Sequence, residues 1–229
     1  MLAHFIGDFV LQSNQWVKHK EEHLFKSPYL YLHVCLHTML MFMVVGFEYV
    51  YIPAIVFLSI THLIVDGIKL MKPIKNHRLL FFLDQSVHII LLYWVSQDWS
   101  THFEIQTYVT ERNLLLVLAI ILLTSVTSIV LKVVFSIWDK DLEKISEKDS
   151  SLKDAGRYIG MLERLFVFAF ILLDQWDAIG FLLAAKSVFR FGDLTKAGDR
   201  KLTEYILIGT LLSFGIAMII GVAFLTLTK

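Results

Sequence analysis

The stretch "IPAIVFLSITHLIVDGIKL", residues 52–70, decides how this chain is read. The run is close to the length of a bilayer crossing, which takes about 20 apolar residues, yet His62 and Asp66 interrupt it. Residues four apart share one face of a helix, so the imidazole and the carboxylate leave an otherwise apolar cylinder on the same side. An ionisable side chain at the centre of a membrane helix costs about 2.5–3.5 kcal/mol on insertion scales and by default marks function.

The same spacing recurs on either side. His4/Asp8 lies in "AHFIGDFVLQ", His33/His37 in "HVCLH" and Asp84/His88 in "DQSVH". Composition alone predicts roughly one or two such pairs, so four in apolar segments exceed chance. His19/His23 and Asp98/His102 have the same spacing but sit in polar stretches and carry little weight. Cys35 points off the His33/His37 face and reads as a small packed residue.

Composition agrees with a membrane protein. Of 229 residues, 56% are hydrophobic, the mean hydropathy is +0.64, and "LLLVLAIILLTSVTSIVL" runs apolar without a break. The formal net charge of zero gives no reason to expect a nucleic-acid partner, and the single cysteine excludes an internal disulfide framework. The first segment has no basic region and no small-residue cleavage site, so it is read as a retained helix rather than a signal.

Segments of crossing length fall at 29–48, 51–71, 79–97, 113–135 and 203–226, with a marginal one at 1–17. The expected fold is all-α: a polytopic transmembrane helix bundle of about six membrane-crossing helices plus a re-entrant or hairpin segment. Its expected parts are a bundle at 1–135 carrying the His/Asp pairs, a charged cytoplasmic loop at 136–160, and a hairpin with the last helix at 161–229. Lys and Arg collect in cytoplasmic loops, which puts 18–28, 70–78, 136–160 and 191–201 inside and the N-terminus outside or buried at the outer half. One continuous crossing through "LERLFVFAFILLDQWDAIGFLLAAKSVFRF" would strand Lys186, Arg190, Lys196, Arg200 and Lys201 outside. A break at "DQWD", residues 174–177, removes that conflict.

Clustered intramembrane charges persist when they are paired, hydrogen-bonded or bound to a metal. Mixed imidazole and carboxylate donors suit a divalent transition metal, zinc first and manganese or iron next, and eight donors fit two ions, or one ion with supporting carboxylates. The expected ligands are His4, His33, His37, His62, Asp66, Asp84 and His88. Asp8, Asp66 and Asp84 are the expected catalytic carboxylates, acting as ligands or as bases toward the attacking water. Arg164, Lys186 and Arg190 are the expected contacts to a substrate anion, with ordinary positive-inside anchoring as the plainer role of each.

"LAHFIGDFVLQS", "THLIVDGIK" and "LDQSVH", followed by "GRYIGMLERL", "AIGFLLAAKSVFRF" and "EYILIGTLLSFGIA", resemble the bacterial integral-membrane family catalogued as domain of unknown function 3307. The resemblance covers nearly the whole chain: the N-terminal half is the domain, and the later motifs are similar to those of its longer members. It implies a multi-pass protein of the bacterial cytoplasmic membrane. The His and Asp pattern is also loosely similar to that of membrane-bound metal-dependent hydrolases.

The expected function is therefore a metal-dependent hydrolase acting near the inner leaflet on a phosphate-bearing lipid or nucleotide. Two other readings compete. One is a transporter of metal ions or protons through the same cluster, disfavoured by the apolar outer halves "MLMFMVVG" and "IILLYWV". The other is a metal-stabilised sensor or scaffold whose 136–160 loop binds a cytosolic protein. The oligomeric state stays open.

Overall fold

The computed structural model describes residues 1–71, 74–99, 110–138, 155–191 and 199–228, without the side chains of 98, 99, 189–191 and 199–202. Among the described residues all regular structure is helical: α1 (Leu2–Leu11), α2 (Asn14–His23), α3 (Pro28–Val44), α4 (Ile52–Leu70), α5 (His77–Trp99), α6 (Glu111–Phe135), α7 (Ala155–Leu172), α8 (Trp176–Phe191) and α9 (Asp199–Leu227). The chain divides into two compact units, Met1–Leu114 and Leu115–Lys229. Four stretches are long and apolar enough to cross a membrane: Tyr49–Leu70, His77–Gln97, Glu111–Phe135 and Thr203–Leu227. The helical stretch Asn14–Lys26 and α3, bent by 108° at their junction, make a fifth if the pair is one span.

The first unit is arranged inside out relative to a water-soluble domain. On α4 the outward stripe is Val56, Ile60, Ile64 and Ile68, all exposed, whereas His62 and Asp66 are buried. On α5, Leu83, Val87, Ile90 and Trp94 are exposed, whereas Asp84 and His88 are buried. An exposed apolar stripe around a polar interior is what a bundle in lipid requires, because hydrocarbon does not penalise the stripe and the polar groups must satisfy one another.

Two expectations for the first segment need correction. Residues 1–17 are not one helix: α1 stops at Leu11, Gln12 is extended (φ −75°, ψ 107°), and the Ser13 hydroxyl accepts from the Trp16 N–H at 3.3 Å to start α2. Residues 18–28 are therefore not a loop. Most of the segment belongs to α2 and the 3-10 turn Leu24–Lys26, after which Pro28 occupies the first turn of α3, where its missing N–H costs no hydrogen bond. Cys35 is exposed rather than packed.

In the second unit the break in the chain falls within the expected 174–177 stretch. Asp174 has a positive φ of 56°, and its carboxylate accepts from the Trp176 indole N–H at 2.9 Å as α8 begins. Lys186 of α8 donates to Glu163 of α7 at 2.6 Å, so the two helices run back along each other as a hairpin. This unit is built around an apolar core that includes Leu123, Val167, Phe168, Ile171, Phe214 and Ala217. Of the expected charged loop 136–160, residues 139–154 lie outside the described residues.

Candidate metal centre

The four helical pairs meet in the first unit. His4 and Asp8 come from α1, His33 and His37 from the first turns of α3, His62 and Asp66 from the last turns of α4, and Asp84 and His88 from the first turns of α5. Antiparallel packing of successive helices brings these turns to one level. The His37 and His62 ring centroids are 4.1 Å apart, His62 and His88 4.4 Å, His33 and His37 4.5 Å, and His4 and His88 5.0 Å. All five imidazoles are at most 5% exposed.

Local features of α1 make the approach close. Gly7–Leu11 forms a π-turn that holds Asp8 and Gly7, and such turns occur often at functional sites. A Cβ on Gly7 would stand 2.3 Å from His37 Nε2, so only glycine lets the ring lie against the helix. His37 Nε2 donates to Asp8 Oδ1 at 2.9 Å, and His33 Nε2 lies 3.2 Å from the same oxygen.

Besides Gln12, whose amide lies 3.1 Å from His33 Nε2, three further side chains that the sequence did not single out tie the carboxylates into the network. The Gln85 amide donates to Asp8 Oδ2 at 3.0 Å and to Asp84 Oδ2 at 3.1 Å, while its carbonyl oxygen accepts from His4 Nε2 at 3.3 Å. Lys20 is 5% exposed and its ammonium donates to Asp66 Oδ2 at 3.1 Å. Lys69 donates to Asp84 Oδ2 at 2.6 Å. Gln85 was within reach of sequence reading as a second polar residue beside Asp84 in an apolar run, and Lys69 as the residue three after Asp66. Nothing local signals Lys20, whose reach to α4 depends on the bend between α2 and α3.

Not every donor is satisfied. His33 Nδ1, His62 Nε2, Asp84 Oδ1 and His88 Nε2 are buried with no hydrogen-bond partner. At His88 the reason is visible: Nδ1 donates to the Asp84 carbonyl at 2.9 Å, which leaves Nε2 with a bare lone pair. Metal-ligating imidazoles are oriented in this way, with one ring nitrogen held by a backbone or carboxylate oxygen and the other directed at the ion. Two groups place one ligand atom from each member within 4.8 Å of all the others: Asp8, His33, His37 and His62, and then His62, Asp66 and His88. These buried groups can hold a metal ion. His62 belongs to both, and His4 and Asp84 to neither.

The floor of an adjoining cavity of about 470 Å³ is formed by His4, His37, His62 and His88. It extends along α3 and α5 as far as Val45 and Ser96, away from the helix ends that carry Lys69 and Lys20.

The Protein of unknown function (DUF3307) family model matches residues 1–117. The chain belongs to this family. The matched span contains all eight donors and the three supporting residues, so the whole centre lies within the family's domain. No curated protein and no solved structure matches the chain.

Residues of the expected anion site lie outside that span, in the second unit. Arg164 is buried, and its guanidinium is engaged within the fold: Nε donates to the Leu123 carbonyl, Nη1 to Ser213 Oγ at 3.0 Å, and Nη2 to Ser128 Oγ at 2.8 Å and to the Thr124 carbonyl at 3.4 Å. Both carbonyls belong to the π-turn Leu122–Val126 of α6, whose altered ladder turns the Leu123 carbonyl toward the guanidinium, while the Thr124 carbonyl also accepts from Ser128 Oγ. Lys186 is occupied by Glu163. The side chain of Arg190 lies outside the described residues.

Proposed function

We propose that this protein is a membrane-embedded metal-dependent hydrolase whose centre is the His/Asp cluster of α1, α3, α4 and α5. The observation that carries the reading is His88, whose Nδ1 is anchored on a backbone carbonyl while its buried Nε2 has no partner, next to the equally unpartnered His62 Nε2. A buried polar atom without a partner costs about 1–3 kcal/mol, and an ion between these nitrogens would offset that cost. A donor set rich in nitrogen, with carboxylates and no sulfur, suits zinc first and manganese or iron next.

A bound divalent ion supplies Lewis acidity and lowers the pKa of water toward neutrality. The chain supplies the rest. Gln85 fixes Asp8 and Asp84 in place, and Lys20 and Lys69 hold Asp66 and Asp84 by ion pairs. Asp8 accepts from His37 Nε2 and from the Gln85 amide, and so would hold the His37 ring on the cavity floor, toward an attacking water. The imidazole floor opens onto a cavity, which leaves a face of the centre accessible to substrate. The wider setting belongs to the same proposal: a bacterial cytoplasmic membrane, about six crossings completed by α1 and the α7–α8 hairpin, and a phosphate-bearing lipid or nucleotide as substrate.

The test is elemental analysis of purified protein, followed by assay of metal-reconstituted protein against phospholipid, isoprenyl-phosphate and nucleotide panels. One or two equivalents of metal, lost in His62→Ala, and a metal-dependent product are expected. Stoichiometric metal with no product in any panel replaces the hydrolase by a metal-stabilised scaffold. Metal or proton flux in liposomes replaces it by a transporter.

A further inference from the structure

The cavity above the imidazoles has two chemically different ends. Its walls are mostly aliphatic, with Met41 and Val44 from α3, Ile55 and Leu58 from α4, and Leu91 and Val95 from α5, and Thr61, Ser96 and Glu111 are the polar residues of the remaining lining. From His62 to Tyr51 the lining follows α4 over eleven residues, about 16 Å at 1.5 Å per residue. Its volume of about 470 Å³ equals roughly sixteen water volumes of about 30 Å³ each. That is room for one hydrocarbon chain along the lining.

The floor restricts the head group. Only imidazoles face the cavity there; Asp8, Asp66 and Asp84 stand behind them and are not among the lining residues. An oxygen-bearing group, an ester carbonyl or a compact anion, meets ring nitrogens without meeting a carboxylate. Among the described side chains no Lys or Arg lines the cavity, and the only ring besides the imidazoles is Tyr51 at the far end. A nucleotide would find neither a stacking platform for its base nor cations for a polyphosphate.

We infer that the cavity binds a single aliphatic chain, acyl or prenyl, with its oxygen-bearing head on the imidazole floor, so that the substrate class of this site is a single-chain amphiphile. The inference deepens the hydrolase reading, and the position of the head rests on that reading. The chain-binding walls stand on the cavity alone. They also exclude the nucleotide alternative for this site.

The experiment uses full-length protein in nanodiscs, since detergent would itself compete as an aliphatic chain. The probe is cis-parinaric acid, a linear fluorescent fatty acid, titrated with palmitate, farnesyl monophosphate and AMP as competitors. Saturable binding near one equivalent is expected, displaced by palmitate or by farnesyl monophosphate and unaffected by AMP. Which of the two displaces better separates acyl from prenyl chains. Val95→Phe and the milder Ala54→Leu fill the walls and should each weaken the probe at least tenfold while metal content stays as in the parent protein; Leu58→Ala, which enlarges the cavity, guards against a filled variant that fails to fold and should retain binding.

Displacement by AMP, or parinarate binding that ignores both Val95→Phe and Ala54→Leu, overturns the inference. Metal bound at full stoichiometry without wall-dependent parinarate binding removes the chain site and leaves the metal centre standing. Wall-dependent binding in protein that takes up no metal does the reverse.

Discussion

The two units solve the burial of polar groups in opposite ways. In the first, eight ionisable side chains from four helices face one another, and four of their atoms end without a partner. In the second, the core is apolar, and among the described residues the buried guanidinium of Arg164 is absorbed by carbonyls of a π-turn and by two serine hydroxyls. A charge that only has to be tolerated is satisfied by the backbone. A set of side chains left with directed lone pairs can hold a metal ion.

This contrast breaks if both units respond alike to substitution. His62→Ala carries the largest expected effect: loss of bound metal by elemental analysis and loss of turnover, because His62 belongs to both ligand groups. Gly7→Ala comes next. Its Cβ would collide with His37 Nε2, and the displaced ring should weaken metal affinity by roughly 10–100-fold, as for other changes that disorient a ligand; competitive chelator titration reads it.

Arg164→Leu should leave metal content unchanged. It removes the Arg164 donor from the Leu123 carbonyl, whereas the Thr124 carbonyl keeps the Ser128 hydroxyl, and should lower stability by about 1–3 kcal/mol, visible as a lower midpoint in thermal denaturation. Metal loss in this variant would mean that the two units are not energetically separate. Glu163→Gln, at a partly exposed ion pair, should change stability by less than about 1 kcal/mol in the same assay.

The sequence made the pairs legible and left their surroundings dark. Helical periodicity is local, so His62 and Asp66 announce a shared face from their spacing alone, and the apolar stripe Val56, Ile60, Ile64 and Ile68 announces the opposite one. The hairpin was legible from charge, since an unbroken crossing would have stranded Lys186 and its neighbours. Lys20 was not, because its contact with Asp66 spans 46 residues and depends on a 108° bend that no periodicity encodes. Arg164 was misread as available because a π-turn in a different helix supplies its acceptors, and "LLTSV" carries no outward mark of one. The cavity was equally hidden: the apolar halves of α3 and α5 look like plain lipid-facing helix until they are seen to line a cleft above the imidazoles.

Counting charge at the centre has a consequence for how many ions it takes. Asp8, Asp66 and Asp84 contribute three negative charges, and Lys20 and Lys69 return two positive ones. With neutral imidazoles the buried assembly carries one surplus negative charge, so a single divalent cation inverts it to one surplus positive charge. A monoanionic head group on the imidazole floor would then bring the total to zero. A second divalent ion would leave three positive charges in a medium that solvates ions poorly, unless an ammonium withdrew from its carboxylate. On the proposed metal reading, electroneutrality would favour one ion together with one singly charged ligand, and Lys20, on the short helix before the bend, enters that count as much as any histidine.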